Sequence, residues 1–512
     1  MMSEKSRTID AWLENHATHQ PEKTALRFEG ASWTYRDLQD WVAALASHLS
    51  REYGLARGDR IAFLGANSAA EVALFFAAAR LGLMIVPLNW RLAPDELGYI
   101  VSNAGARLLV HSASFADLAD DVARGTKART ANADLDFADL PKGEAVPQGA
   151  LKDPFLIVYT SGTTGRPKGA VLTQEAVFWN ALISLHAHDF TPDDHILNVL
   201  PLFHVGGINI QMMPCFYVGG TVTLHVRFDP SAIITALSEG GITTAVFVPT
   251  MMRALMGTDT WQTAKFPNLR MLNTGSTDVP VDILEAVNAR GIPMVQVYGA
   301  TETGPIATYQ RAEEAGRTIG SIGRPGAHME VKVMSPDGIE CAPDVPGEIW
   351  VKGPNNFSYY WQNPQATAAS LQDGWFKTGD VARRDVHGLL WFVSRLKHVI
   401  ISGGENIYPA EIERLLMQLP GLREVAVVGR PDPRWGEVPV IVAAIEEDGP
   451  SEEVILATCD TRIAKFKRPK DVALVQALPR NAMGKVLVDE VRKIAAAQGL
   501  NLTRSQSQGV TA

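Results

Sequence analysis

From Arg60 onward, short apolar runs alternate with amphipathic ones at a spacing that few folds can accommodate. RIAFLGAN, MIVPLN and RLLVHSA read as strands, and AEVALFFAAARLG and PDELGYIVSNAG between them read as helices. The alternation resumes with HILNVLPLF, TVTLHV, TTAVFVPT, LRMLNTG and MVQVYGAT as strands, with DPSAIITALSEGG and PVDILEAVNARG as helices. Such a pattern implies an α/β fold of mostly parallel sheets covered by helices. Sheets of this kind bind ligands beyond the carboxyl ends of their strands. From about Gly320 the style changes to short β-like pieces, MEVKVM, GEIWVKG and LLWFV, cut by Gly/Pro turns. After Ser394–Lys397 a compact set follows: helix AEIERLLMQL, strands EVAVVG and VPVIVAAI, helix EEVILATCDTRIAKF, strand DVALVQAL and a last helix. The expected organisation is a large N-terminal region over 1–394 with a small β-rich subdomain, a connection at 395–398, an α+β C-terminal domain over 399–500, and a disordered tail over 501–512.

Composition narrows the function. A chain of 512 residues that is 46% hydrophobic has more than one ordinary core to build. A net charge of −9 provides no overall basic field for nucleic acid, so any polyanionic ligand must meet local lysines and arginines. Cys215, Cys341 and Cys459 lie far apart without a CxxC pair, which argues against a zinc site or a disulfide framework and fits a reducing, cytoplasmic setting. MMSEKSRTIDAWLENHATHQ lacks the apolar core of a signal peptide. The most apolar run, Val72–Leu88, contains Arg80 and reads as a buried helix followed by a strand, not as a transmembrane segment.

One stretch carries chemistry. Tyr159–Ala170 reads YTSGTTGRPKGA, after the apolar PFLIV and before the helical AVLTQEAVFWNALISL with Thr173 as N-cap. We read it as a loop between a strand and a helix. Its glycines let backbone N–H groups approach a ligand, its hydroxyls add donors, and Lys168 adds a point charge. Together these form a phosphate cradle. No Gly-Lys-Ser/Thr triplet closes it, so it is not a Walker A loop.

Four further motifs follow in order: YGATETG (Tyr298–Gly304), GWFKTGD (Gly374–Asp380), SRLKHVIISGGENIYPAEIE (Ser394–Glu413) and PRNAMGK (Pro479–Lys485). With the glycine-rich loop they resemble the adenylate-forming superfamily of acyl-CoA synthetases, peptide-synthetase adenylation domains and luciferases, with acyl- and aryl-CoA ligases most similar. The resemblance implies an ATP- and Mg²⁺-dependent enzyme. It would join a monocarboxylic acid, fatty or aromatic, to coenzyme A through an acyl-adenylate. It places ATP phosphates on Thr160, Ser161, Gly162, Thr163, Thr164, Gly165 and Lys168, with Thr301 nearby and Glu302 as the metal ligand. Tyr298 would face adenine, Gly299 would belong to the ATP-binding set, and Asp380 with Arg395 would meet the ribose. Lys485 would bridge the carboxylate and the α-phosphate. The resemblance also makes Lys397 the hinge about which a mobile C-terminal lid turns, although Ser394 and His398 replace the usual flanking residues. Gly403 and Gly404 would line the pantetheine path, and Trp435, Phe466 and Arg468 would pack against or pair with CoA.

The acid itself is expected among PLFHVGGINIQMM, VFVPTMMR and NTGSTDV, with His204 as a gate. Most of these side chains are apolar or small, and no arginine cluster is there to hold a second carboxylate, which disfavours diacids. Thr274-Gly275-Ser276-Thr277 departs from the family's Gly-Gly-Ala-Pro, so fatty and aromatic acids both stay open. Loading of a carrier protein's phosphopantetheine and a catalytically silent nucleotide-binding regulator are the alternatives. The sequence also leaves a homodimer open.

Overall fold

A computed structural model describes residues 7–137, 140–143, 147–160, 166–275, 279–402, 405–480 and 486–507, with backbone alone at 461 and 498–507. Two compact units emerge. One comprises 1–331 with 350–378, and the other 332–349 with 379–512.

The first unit is built on two sheets. In the larger, the described strands run in the order Arg324–Pro325, Thr308–Tyr309, Met294–Tyr298, Met271–Gly275, Thr244–Val246, His195–Asn198, Thr221–Leu224, Thr24–Phe28 and Ala31–Thr34. Its middle is parallel, and only the margins are antiparallel. The second sheet runs Tyr359–Tyr360, Lys168–Thr173, Pro154–Thr160, Met84–Leu88, Arg60–Leu64, Leu108–His111 and Arg129–Asn132. Every residue of Met84–Leu88 is buried, as expected of a parallel strand covered on both faces. The expected helix beside it spans Ala69–Leu81. Ser68 Oγ accepts from Glu71 N at its start, and Gly82 ends it in the left-handed region at φ 70°. All of its residues except Arg80 are buried, which explains a run too apolar to show a helical period. Phe75 and Phe76, with no exposed surface, each contribute about 1.5–3 kcal/mol of burial.

The second unit carries the expected α+β set. Its sheet runs Glu405–Ile407, Ile400–Ser402, Gly436–Ile445 and Leu422–Asp432, with Asp471–Val475 parallel to Gly436–Ile445. Helices Pro409–Leu416, Glu452–Arg462 and Val488–Ser507 accompany it, so the last helix reaches into the segment expected as a tail. Ile400, Ile407, Ile412, Leu416, Ile441 and Ile455 form a core of its own.

Two local expectations need correction. The phosphate-type loop does not lead straight into a helix. Lys168–Thr173 is a strand, paired antiparallel to Pro154–Thr160. Only then does helix Gln174–His188 begin, with Thr173 Oγ1 accepting from Ala176 N at 3.0 Å. Gly169 permits the hairpin, because a Cβ there would lie 2.6 Å from Ile157. HILNVLPLF is likewise a strand only over His195–Asn198. Asn67 takes over the backbone beyond it, donating to Leu200 O and accepting from Leu202 N. Among the described residues, no helix is long and apolar enough to cross a membrane, and no cluster of three His, Cys, Asp or Glu could hold a metal ion.

Candidate active site

Within the first unit, the hairpin and the YGATET turn converge. Thr160 and Lys168 are cross-strand partners at the loop end of the hairpin, 3.5 Å apart from Thr160 Oγ1 to Lys168 O. Tyr298 is the last, half-buried residue of its strand, and Thr301–Thr303 follow as one 3₁₀ turn. Gly299 is required between them, since a Cβ would lie 1.7 Å from Pro305 O. Glu302 is buried, and its Oε1 accepts from the Tyr360 hydroxyl at 2.7 Å. The Lys168 ammonium stands 5.4 Å from the centroid of the same tyrosine ring. Burial, then the Glu302 charge, pushes the Tyr360 phenol far above its ordinary range, so it stays a donor.

Three buried asparagines clamp the chain after Glu302. Asn355 Nδ2 donates to Thr303 O at 2.6 Å and to Ile306 O at 2.8 Å. Asn209 Nδ2 donates to Gly304 O at 3.0 Å, and Asn180 Nδ2 to Asn209 O at 2.6 Å. Asn180 Oδ1 accepts from Ile306 N. A buried amide left unpaired would cost about 1–3 kcal/mol, so the clamp and the turn specify each other. Neither Tyr360 nor the asparagines stood out in the sequence. A two-residue strand has no period, and isolated asparagines read as turn formers.

His204 caps the short helix Val205–Asn209. Its Nε2 is buried and has no hydrogen-bond partner among the described residues, and its ring lies 4.6 Å from that of Phe203. Burial, reinforced by Arg91, lowers its pKa to about 4, so the imidazole is neutral at pH 7. Asn273 and Thr274, the first two residues of the NTGSTDV segment expected to line the acid, are fully buried. Arg253, unplaced by sequence, forms an ion pair with Asp282 at 2.9 Å with both side chains half-exposed or more.

In the second unit, Asp380 and Arg395 are cross-strand partners, joined by an ion pair of 3.2 Å. Gly379 N donates to Glu348 Oε1 at 3.0 Å just before Asp380. Lys397 lies in the turn Leu396–His398, and its carbonyl accepts from Arg492. Trp435 and Phe466 are each 44% exposed, with Arg434 over the first ring at 4.9 Å and Lys467 over the second at 5.7 Å. Arg468 pairs with Asp460 at 3.4 Å. Ser161, Gly162, Thr163, Thr164, Gly165, Gly403, Gly404 and Lys485 lie outside the described residues.

The family described as AMP-binding enzyme matches residues 13–361, and the AMP-binding enzyme C-terminal domain matches 411–485. An indoleacetate–CoA ligase of Aromatoleum aromaticum is 43% identical over 95% of this chain and 98% of its own length. A feruloyl-CoA synthase of an Amycolatopsis species is 40% identical over 96% and 99%. The o-succinylbenzoate CoA synthetase of Bacillus subtilis, solved with an acyl-adenylate intermediate, superposes with a TM-score of 0.86 at 32% identity over 94% of this chain and 97% of that one. Its complex with ATP and magnesium ion gives 0.84 at 32% over 94% and 98%.

Proposed function

Because the chain belongs to the AMP-binding enzyme family and is an acid–thiol ligase of the AMP-forming type, we propose that its acid is an aryl-substituted monocarboxylate and its thiol is coenzyme A. The observation that carries the nucleotide reading is the convergence of Lys168 and the buried Glu302 on one tyrosine at the end of the phosphate-type hairpin. The identities to the indoleacetate and ferulate enzymes support an aromatic acid.

In the first half-reaction, a carboxylate oxygen bonds to the α-phosphorus of ATP as the bond to the β-phosphate oxygen breaks, and pyrophosphate leaves. The obstacle is repulsion between two anions, so placed cations and donors decide the rate. Lys168 and the hydroxyls of its loop would hold the β- and γ-phosphates. Glu302 offers a carboxylate oxygen between Thr301 and Thr303, and oxygen donors suit a hard ion such as Mg²⁺. Bound there, that ion would supply charge neutralisation at the phosphates. Asp380, steered by Arg395, would accept from the ribose hydroxyls. Lys485 would neutralise the incoming carboxylate and the α-phosphate together. In the second half-reaction the CoA thiolate bonds to the acyl carbon and AMP leaves. Exposed Trp435 and Phe466, each beside a cation, suit the CoA nucleotide.

The test is pyrophosphate release across a panel of aryl, fatty and dicarboxylic acids, with and without CoA. Arylacetates and hydroxycinnamates are expected to lead, with a CoA thioester formed. A fatty acid in front overturns the acid assignment, and release without thioester formation overturns CoA. Lys485→Ala is expected to lose adenylation by roughly two to three orders of magnitude while thioester formation from supplied acyl-adenylate survives. An equal loss of both half-reactions overturns that role.

A further inference from the structure

We propose that Tyr360 is a positioning residue that fixes the Glu302 carboxylate for a divalent cation while its ring face receives the Lys168 ammonium. This rests on the reading of Glu302 as metal ligand given above.

Tyr360 is held where it stands from two sides. Tyr359 and Tyr360 pair with Val171 and Ala170 at the edge of the strand that Lys168 begins. Ser358 N donates to Val171 O at 2.9 Å, and Trp361 N to Gly169 O at 2.7 Å. Phe357 N donates to Glu302 O at 2.8 Å, and its ring lies 4.7 Å from that of Tyr360. The five residues Phe357–Trp361 are thus stitched to the phosphate-type strand on one side and to the TET turn on the other. From that position the hydroxyl meets Glu302 Oε1 at 2.7 Å, and the ring meets Lys168.

The consequence is rotameric. A glutamate has three side-chain torsions, and a metal ligand is useful only when they are set before the ion arrives. A short hydrogen bond from a rigid, buried phenol sets them, as outer partners do for metal-binding carboxylates, where their removal costs about 10- to 100-fold in affinity. The same ring offers its π face to the Lys168 ammonium, 5.4 Å from the centroid, so one side chain meets both the carboxylate and the cation. A tyrosine that merely filled space would need the ring and not the hydroxyl.

Tyr360→Phe separates these roles, because it keeps the ring and its packing. With Mn²⁺ as probe and ATP saturating, paramagnetic resonance of free Mn²⁺ is expected to show about 10- to 100-fold weaker ion uptake. ATP binding in EDTA should stay within about twofold of the parent. In a Glu302→Gln background the same change should add nothing, because it acts through that carboxylate. Ion affinity within about twofold of the parent, or an undiminished loss in the Glu302→Gln background, overturns the proposal. A crystal of the parent with ATP and Mn²⁺ checks it without any variant. Tyr360 Oη within hydrogen-bond reach of an ion-ligating Glu302 is expected, and a Glu302 turned away from it overturns the idea. A parent protein that takes up no Mn²⁺ with ATP defeats the metal reading itself before any variant is compared.

Discussion

Arg395 Nε stands 3.2 Å from Asp380 Oδ1, and the two residues face each other across adjacent antiparallel strands. Asp380 is buried whereas Arg395 is partly exposed, so the guanidinium aims the carboxylate without sealing it. Asp380→Asn keeps the shape and removes the charge. Charged hydrogen bonds to a diol are worth about 1.5–3 kcal/mol, so ATP affinity by calorimetry should fall by about 10- to 100-fold. The melting temperature should move by only ~2 °C, because the partner left behind can reach water. Unchanged affinity would overturn the proposed contact of Asp380 with the ribose.

Acid should destabilise the fold through its buried imidazoles. His188 is fully buried, its Nδ1–H donates to Ser184 O, and its Nε2 accepts from Asn273 Nδ2, an arrangement that only the neutral ring satisfies. Burial lowers its pKa to about 4, against 6.5 for an unburied ring. Between those values the unfolded chain binds the extra proton, so stability rises with pH across the window and is lost on acidification, by about 3 kcal/mol for this ring. Urea unfolding from pH 7 down to 4.5 should show that slope, and His188→Gln should reduce it by about one proton. An identical slope in the variant would show that His188 does not titrate as its surroundings dictate.

The sheets were legible because strands covered on both faces become unbroken apolar runs, and Met84–Leu88 is the plainest case. The Val72–Leu88 run resolved as expected into helix and strand, with Gly82 at the break. What escaped was specified by partners distant in sequence. Tyr360 belongs to a strand only because Ala170 and Val171 offer an edge. The end of the strand at Asn198 is set by Asn67, more than a hundred residues earlier. GAVLT reads as well in a helix as in a strand, and the hairpin across from Pro154–Thr160 decides between them. Glu302 and Asp380 stood out as candidates through their motifs, whereas Tyr360, which donates to Glu302, and Glu348, which accepts from Gly379 N beside Asp380, did not.

Arg253 is the arginine within the expected acid-lining segments, and its bidentate contacts to Asp282, at 2.9 and 3.2 Å, account for it. Exposed pairs of this kind contribute about 0–1 kcal/mol. Arg253→Ala should therefore leave the ranking of acids and their KM values unchanged within about twofold, with a small loss of stability. A selective rise in KM for one acid would place this guanidinium at the substrate after all.

Gly299 tests whether the TET turn is set by its backbone. An added Cβ would lie 1.7 Å from Pro305 O and 2.6 Å from Thr303 Oγ1, well inside van der Waals contact. The carbonyl cannot retreat freely, because Asn355 and Asn209 hold the backbone on both sides of Pro305. The clash must instead push the turn that carries Glu302 away from Tyr360, or unfold it. Gly299→Ala is expected to cost several kcal/mol in urea unfolding, at the diagnostic end of single substitutions. It should also abolish carboxylate-dependent pyrophosphate release. Tyr298→Phe, one residue away, provides the contrast, because it leaves the backbone alone and should keep the stability within about 1 kcal/mol. If Gly299→Ala were as stable and as active as the parent, the turn would have room that these contacts deny, and backbone placement of Glu302 would be wrong.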